Sequence, residues 1–337
     1  MFEGTIHEDI MSRFLGRRIA EDDLAGRAEF MAKAGYDFLP VVVSMVNPGK
    51  ISRDAVISKA IRQVMLKNGQ GADDERAWNL ELTSFIHERA DLDRFPWEAA
   101  SRIDVDALRK AREALPEGMK AVAVSGKIFT LTWMLMGFNN FSLKLIMDES
   151  LVSDVFEKVA DIQFRALDMI LDMDHVGAVW AIDDLAFGTG AMISPQAFRD
   201  HIFPHYRKMA EMCHRRGLFF AFHSDGKLDE LLEDLIDLGV DLLHPIDPGC
   251  MDIFEVKKQV GDRICLAGNV SNEMLRSGTP AQVEAYVKEL IQRCAPGGGY
   301  CVAAGNSVPD WSDFENYMTL RETALTYGRY PISPGLD

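Results

Sequence analysis

Short apolar runs alternate with amphipathic stretches along the chain, which is the pattern of parallel strands covered by helices. Eight runs fit strands, and no break in composition separates them. An open sheet of this size leaves two unpaired edges, whereas a closed barrel leaves none. The pattern therefore predicts an α/β fold, a (β/α)₈ or TIM barrel, with strands Leu39–Met45, Leu80–Phe85, Lys120–Ser125, Gly177–Ile182, Leu218–His223, Asp241–Pro245, Ile264–Ala267 and Tyr300–Ala304.

The helices of the second half have clear boundary signals. Ser194 is a typical N-cap before Pro195, and these residues predict one helix that continues to Arg216 and ends at Gly217. An apolar stripe with helical spacing predicts a long helix over residues 150–174. Each predicted helix follows or precedes a predicted strand, as a barrel requires.

The chain is predicted to be one domain. Residues 1–36 form a helical extension in this interpretation, and residues 37–330 form the barrel. A length of 337 residues is normal for one such barrel. No apolar run approaches the roughly 20 residues that span a bilayer, and the first residues lack the features of a signal peptide.

Composition excludes some partners. The net charge of −16 and the isoelectric point near 5.0 argue against a nucleic-acid partner, which needs a basic surface. The five cysteines are scattered and form no CxxC pair, so free thiols in a reducing compartment are expected. These observations predict a cytoplasmic enzyme that acts on a small molecule, without a membrane partner.

Polar side chains follow five consecutive predicted strands. The carboxyl ends of barrel strands face the substrate in enzymes of this fold. Carboxylates, imidazoles and amides are therefore expected to meet at one rim. The residues concerned are Asp183, Asp184, His223, Asp225, His244, Asn269 and Asn306.

The charged residues of this rim are the candidate catalytic groups. Asp183 and Asp184 are adjacent on a strand, so only one is expected to face the pocket, while the other caps a loop. His223 and Asp225 lie two residues apart and point the same way, which suits an acid/base pair or two metal ligands. His244 is a candidate metal ligand or substrate contact, and a buried structural histidine is equally consistent with its position.

The remaining candidates are substrate contacts. Asn269 and Asn306 can each donate and accept hydrogen bonds to a substrate, and both can also tie loops together. Trp133 and Phe138 lie in an apolar segment that could line a flat ligand site, although such stripes more often belong to a core.

An ordered set of motifs covers residues 177–311. It comprises Asp183-Asp184-Leu185-Ala186, Met192-Ile193-Ser194-Pro195, Phe222-His223-Ser224-Asp225-Gly226, Gly261-Asp262-Arg263 with Gly268-Asn269-Val270, and Gly297-Gly298-Gly299-Tyr300. These motifs resemble the uroporphyrinogen decarboxylase (URO-D) superfamily. The resemblance implies a (β/α)₈ barrel with its pocket at the carboxyl ends of the strands, and it is compatible with a homodimer.

The decarboxylases proper of this superfamily remove carboxylates from a tetrapyrrole without a cofactor. They carry an N-terminal Arg-Gln-Ala-Gly-Arg segment that binds the acidic substrate. The first predicted strand of this chain instead leads into Ser44-Met45-Val46-Asn47-Pro48-Gly49. Decarboxylation of uroporphyrinogen itself is therefore not expected.

Another branch of the superfamily transfers methyl groups with a corrinoid protein. Its thiol-activating members hold zinc with a His-x-Cys pair and a later cysteine, and the matching positions here are His223, Asp225 and Asn306. Because both thiolates are missing, an oxygen substrate such as a methyl ether fits better than a thiol. The resemblance thus implies transfer of a methyl group from a small methoxylated molecule to a corrinoid on a separate protein.

The cofactor expectations follow from this interpretation. Zinc would be held by His223 and Asp225, with His244 as an additional ligand, and no tightly bound organic cofactor is expected. Two alternatives remain open: a cofactor-free decarboxylase of a small carboxylic acid, and a non-catalytic binding protein.

Overall fold

A parallel sheet of seven strands forms the centre of the molecule. The computed structural model describes residues 1–20, 22–43, 85–100 and 102–332. The sheet order is β1-β2-β3-β6-β7-β8-β9, and a short antiparallel hairpin of β4 and β5 follows β3. The strands are β1 Phe38–Val42, β2 Lys120–Val124, β3 Val176–Ile182, β4 Ala186–Phe187, β5 Gly190–Ala191, β6 Phe219–His223, β7 Leu242–His244, β8 Cys265–Val270 and β9 Tyr300–Ala304. The predicted α/β class is confirmed.

Seven of the eight predicted barrel strands are present, with their ends shifted by a few residues. The remaining one, predicted over residues 80–85, lies outside the described residues except for Phe85, which is in a loop. Strands β1 and β2 pair directly, from Phe38 opposite Lys120 to Val42 opposite Val124. Within the sheet, therefore, β1 and β2 are direct neighbours, with no strand of the described residues inserted between them.

The sheet curls around a shared interior. Inward-facing side chains from all seven strands meet in one apolar cluster, to which Phe2 also belongs; its members include Phe38, Val122, Trp180, Ala221, Leu242, Ala267 and Ala303. In a flat sheet, side chains of the two edge strands, β1 and β9, would be too far apart to belong to one cluster. The curvature is that of a barrel wall.

Residues 2–6 bridge the two edge strands of this wall. The Phe2 amide donates to the carbonyl of Val302 in β9 at 3.0 Å, and the Phe2 ring stacks on Phe38 of β1 with centroids 5.0 Å apart. Ile6 forms a parallel bridge with Val308. The predicted extension over residues 1–36 does contain two helices, but its first residues are part of the barrel wall.

Helices pack against the outer face of the sheet, where their apolar sides join the outward strand residues in one large core. Their bounds are Glu8–Leu15, Leu24–Ala34, Arg89–Arg94, Trp97–Ala100, Asp106–Ala114, Phe129–Met136, Phe138–Met147, Glu149–Ile170, Pro195–His201, Phe203–His214, Leu232–Asp237, Ile253–Val260, Asn272–Ser277, Pro280–Cys294 and Phe314–Tyr327, with a 3₁₀ turn at Asp229–Leu231. Among these described helices, none has the length and apolarity needed to cross a membrane.

The helix predicted to run from Pro195 to Arg216 is two helices, Pro195–His201 and Phe203–His214. Pro204 explains the difference, because it lacks a backbone N–H and its ring would clash with the carbonyl four residues earlier. The single-helix prediction was therefore wrong at this point, although both outer ends are close to those expected.

Candidate active site

Two carboxylates and an imidazole meet at the carboxyl edge of the sheet. His223 ends β6, and Asp184 follows β3, its neighbour in the sheet. The Nε2 atom of His223 lies 3.7 Å from Oδ1 of Asp184 and 3.7 Å from Oδ1 of Asp225. One ligand atom from each residue lies within 4.8 Å of the others, and the described part of the chain contains no second group of this kind. We call these three residues the acidic–histidine cluster.

Hydrogen bonds fix the two carboxylates of the cluster. Oδ1 of Asp184 accepts the backbone N–H of Asp225 at 3.1 Å, and Oδ2 of Asp225 accepts a hydrogen bond from the side-chain amide of Asn306 at 2.6 Å. Oδ1 of Asp225 is buried and has no hydrogen-bond partner among the described residues. Asn306, predicted as a substrate contact, is thus placed where it orients Asp225.

The electrostatics of the cluster leave it short of positive charge. Burial, followed by the nearby carboxylates of Asp184 and Asp247, raises the pKa of Asp225 to about 7, while the bond from Asn306 opposes the rise. Burial lowers the pKa of His223 to about 4, and the charge of Asp184 opposes this effect. His223 is therefore neutral at pH 7, the form in which an imidazole binds a metal.

His244 stands directly behind His223. Their Nδ1 atoms are 3.0 Å apart, so one ring donates a hydrogen bond to the other. When the lone pair of His223 is on Nε2, towards the carboxylates, its proton is on Nδ1 and is donated to His244. His244 is 1% exposed and is not a member of the cluster. The geometry favours an orienting role over that of a direct ligand.

The two adjacent aspartates have different surroundings. Asp183 is fully buried and accepts the backbone N–H groups of Ile128, Phe129 and Thr130 at 2.6 to 2.8 Å, together with the hydroxyl of Tyr206. It therefore anchors the start of helix Phe129–Met136. Asp184 faces the cluster instead, and the structure does not bring the predicted catalytic residue Asp183 into it.

The remaining predicted substrate contacts have partners outside the cluster in the described structure. Oδ1 of Asn269 accepts the hydroxyl of Tyr286 at 2.9 Å. The rings of Trp133 and Phe138 pack edge to face with centroids 5.7 Å apart, and Phe138 also packs on Phe187. Their roles in substrate binding stay predictions.

Three residues around the cluster were not among the predicted site residues. Trp180 packs against His223 and His244, with ring centroids 6.0 and 5.3 Å apart. Asp247 accepts the N–H of Gly226 at 3.2 Å and acts on Asp225 electrostatically. The charge of Lys127 contributes to the lowered pKa of His223. Strand alternation from Ile182 could have placed Trp180 inside the barrel, whereas the position of Lys127 depends on the loop after β2.

The family follows from a match over most of the chain. The family model described as "Uroporphyrinogen decarboxylase (URO-D)" matches residues 81–327, well over half of the 337. The chain belongs to the URO-D family. This confirms the resemblance drawn from the motifs and places the chain in a family of enzymes.

The relatives of this chain include enzymes with two different named activities. Uroporphyrinogen decarboxylase of Photorhabdus laumondii is 24% identical over 71% of this chain and 69% of its own length. Methylcobamide:CoM methyltransferase MtaA of Methanosarcina barkeri is 28% identical, over 50% of this chain and 48% of its own length. A solved methyltransferase from Methanosarcina mazei superposes with a TM-score of 0.67 at 16% identity, covering 97% of this chain and 93% of that one. The superposition shows that the fold is shared.

Proposed function

We propose that this URO-D family member is a methyltransferase that moves a methyl group from a small methoxylated molecule to a corrinoid held by a separate protein. The observation that carries the proposal is the acidic–histidine cluster at the carboxyl edge of the sheet. Two carboxylates and a neutral imidazole form a ligand set that zinc accepts. The similarity to a methylcobamide methyltransferase supports the same choice.

The cluster fits a divalent cation on physical grounds. Oδ1 of Asp225 is buried without a partner among the described residues, and burial, followed by neighbouring carboxylates, raises the pKa of this side chain. A cation at this point would satisfy both the unpaired atom and the excess negative charge. Asp184, His223 and Asp225 would hold the zinc, with His244 fixing the tautomer of His223. Zinc in such a site supplies Lewis acidity toward an oxygen atom.

The side chains of the cluster also suit the chemistry of an ether. Loss of a methyl group from an ether leaves an alkoxide or phenoxide, which needs stabilisation or a proton. A carboxyl with a pKa of about 7, such as that of Asp225 in the metal-free protein, holds a proton near neutral pH. In the metal-free form of the site, that proton can be passed from Oδ1 of Asp225 to the leaving oxygen; with zinc bound, Asp225 would be an unprotonated ligand and the Lewis acid would stabilise that oxygen instead. Asn306 keeps the carboxyl in place by binding its other oxygen.

A cofactor-free decarboxylase of a small carboxylic acid is the second candidate. The positive charge of Lys127 acts on His223, so an anionic group of a substrate would be attracted to this part of the rim. The similarity to uroporphyrinogen decarboxylases is consistent with this chemistry. The two candidate functions differ in their products: the methyltransferase forms a methylated corrinoid and an alcohol or phenol, whereas the decarboxylase releases CO₂.

The test uses the purified protein, 2-methoxyphenol and cob(I)alamin as the methyl acceptor, under anaerobic conditions. We expect methylcobalamin and catechol to form in equal amounts, and His223→Ala to lower the rate at least about 100-fold. His214→Ala is the control, because this imidazole is surface-exposed and pairs with Asp241. Wild-type rates in His223→Ala would refute the assignment. Release of CO₂ from 2-methoxybenzoate without cobalamin would favour the decarboxylase instead.

A further inference from the structure

Two cysteine side chains meet at the amino edge of the sheet, opposite the edge that carries the acidic–histidine cluster. Cys265 is the first residue of β8, and Cys301 is the second residue of β9. Their Sγ atoms are 3.9 Å apart, and one thiol donates a hydrogen bond to the other. Both residues are free cysteines that are only partly buried, so the pair keeps access to solvent. The proposed function uses neither of them.

The register of the strands fixes the approach of the two thiols. Cys301 lies on the inner face of the sheet, where it packs against the same apolar cluster as Ala267. Cys265 points the same way, because it precedes Ala267 by two residues on β8. Ala267 is the register partner of Cys301, so Cys265 is the diagonal neighbour of Cys301. Backbone pairing of two strands therefore holds the pair in place.

This diagonal offset suits an atom placed between the sulfurs better than a direct bond between them. Residues offset by two positions on neighbouring strands typically have Cβ atoms roughly 7 Å apart, whereas a disulfide needs roughly 3.8 Å. A metal bound to both sulfurs at about 2.3 Å each allows them to be up to about 4.6 Å apart. The observed separation of 3.9 Å lies within that limit. A bridging metal thus requires less movement of the backbone than a disulfide does.

The pair can also supply thiolate, the form of cysteine that binds metals. The hydrogen bond from Cys265 lowers the pKa of the Cys301 thiol to about 7, although burial opposes this effect. The same bond raises the pKa of Cys265, and the charge of Lys257 acts in the opposite direction. Nζ of Lys257 is fixed at the start of β9, since it donates to the carbonyls of Gly298 and Gly299 at 2.7 and 3.1 Å. A cation that binds both sulfurs would displace the remaining thiol proton.

The number of ligands selects the class of metal. Among the described residues, no His, Cys, Asp or Glu side chain joins Cys265 and Cys301 to make a group of three potential ligands. Zinc is held by at least three protein ligands, and magnesium and calcium take oxygen ligands. Cu(I) is a soft cation that prefers sulfur, and it is stable with two thiolates in a nearly linear arrangement. The pair therefore fits Cu(I) better than zinc or a hard cation.

We propose that Cys265 and Cys301 form a two-thiolate site for a soft monovalent cation, with Cu(I) as the probe. On binding, two S–H bonds break, two metal–sulfur bonds form and two protons pass to water. The cation would link β8 to β9 on the inner face of the sheet. Because the site lies at the opposite edge from the acidic–histidine cluster, it is independent of the proposed function.

Anaerobic titration of the full chain with Cu(I), in competition with the chelator bicinchoninate, tests the proposal. We expect the wild-type protein to hold one Cu(I) per chain. Cys265→Ser and Cys301→Ser should each lower the affinity for Cu(I) at least about 100-fold, because a hydroxyl is a poor ligand for a soft cation. Cys250→Ser is the matched control, since Cys250 is also a partly buried free thiol but bonds to Asp247. This variant and His223→Ala should keep the wild-type affinity for Cu(I).

X-ray absorption at the copper edge gives a second measurement that needs no variant and still decides if a serine variant fails to fold. We expect two sulfur neighbours around the copper and no nitrogen neighbour. Failure of the wild-type protein to hold Cu(I), or coordination by nitrogen or oxygen, would overturn the proposal. Wild-type affinity in both Cys265→Ser and Cys301→Ser, or an equal loss of affinity in Cys250→Ser, would overturn it as well.

Discussion

At the residue scale, the two adjacent aspartates show what sequence can and cannot resolve. Strand alternation indicates that only one of Asp183 and Asp184 faces the pocket. It does not say which, because the answer depends on where helix Phe129–Met136 begins in space. The backbone N–H groups at that helix start are bound by Asp183, which leaves Asp184 for the cluster. Sequence likewise does not show what His244 contacts. Its partner is His223, because the register of β6 and β7 places these two residues opposite each other.

The different surroundings of the aspartates predict different effects on stability. Asp183→Ala should lower the free energy of unfolding by about 3 kcal/mol, because it leaves three buried N–H groups and the Tyr206 hydroxyl without an acceptor. Asp184→Ala should cost less than about 1 kcal/mol, since its side chain is 34% exposed. Urea unfolding of both variants measures the difference. A larger loss in Asp184→Ala would contradict these roles.

At the scale of elements, apolar runs located seven barrel strands because each strand is a short apolar segment between sharp turns. Two features were beyond this kind of reasoning. The break before helix Phe203–His214 has a local cause in Pro204, which the prediction did not use. The role of residues 2–6 has no local signal, because it depends on the two edge strands that they bridge.

The turn after β6 gives a prediction at this scale. Gly226 has φ +89°, and a Cβ atom there would lie 2.5 Å from the carbonyl oxygen of Ala186 in β4. Gly226→Ala should therefore cost more than about 3 kcal/mol of stability and displace the neighbouring Asp225.

Gly217 provides a matched control for this substitution. It has φ +69°, but no atom lies within 4 Å of the position that a methyl group would occupy there. Gly217→Ala should cost only about 1 kcal/mol, the strain of the left-handed backbone alone. Thermal unfolding and zinc binding of the two variants check the comparison. Equal losses of stability in Gly226→Ala and Gly217→Ala would show that crowding against β4 does not contribute.

At the scale of the whole molecule, the candidate site is assembled from distant parts of the chain. The rim of polar residues was predictable, because parallel strands deliver their carboxyl ends to one edge. The contact of Phe2 with Trp180 was not, because it requires the curled sheet and the bridging N-terminal segment together. Known relatives include decarboxylases and a methyltransferase, and our proposal of methyl transfer rests on the cluster.

The most direct test of the central claim is elemental analysis of the purified protein after zinc loading and removal of free metal. We predict about one zinc per chain in the wild-type protein, and its loss in both His223→Ala and Asp225→Asn. His214→Ala, which changes a surface imidazole, should keep the metal. Absence of zinc from the loaded wild-type protein, or full retention in the two cluster variants, would contradict the account.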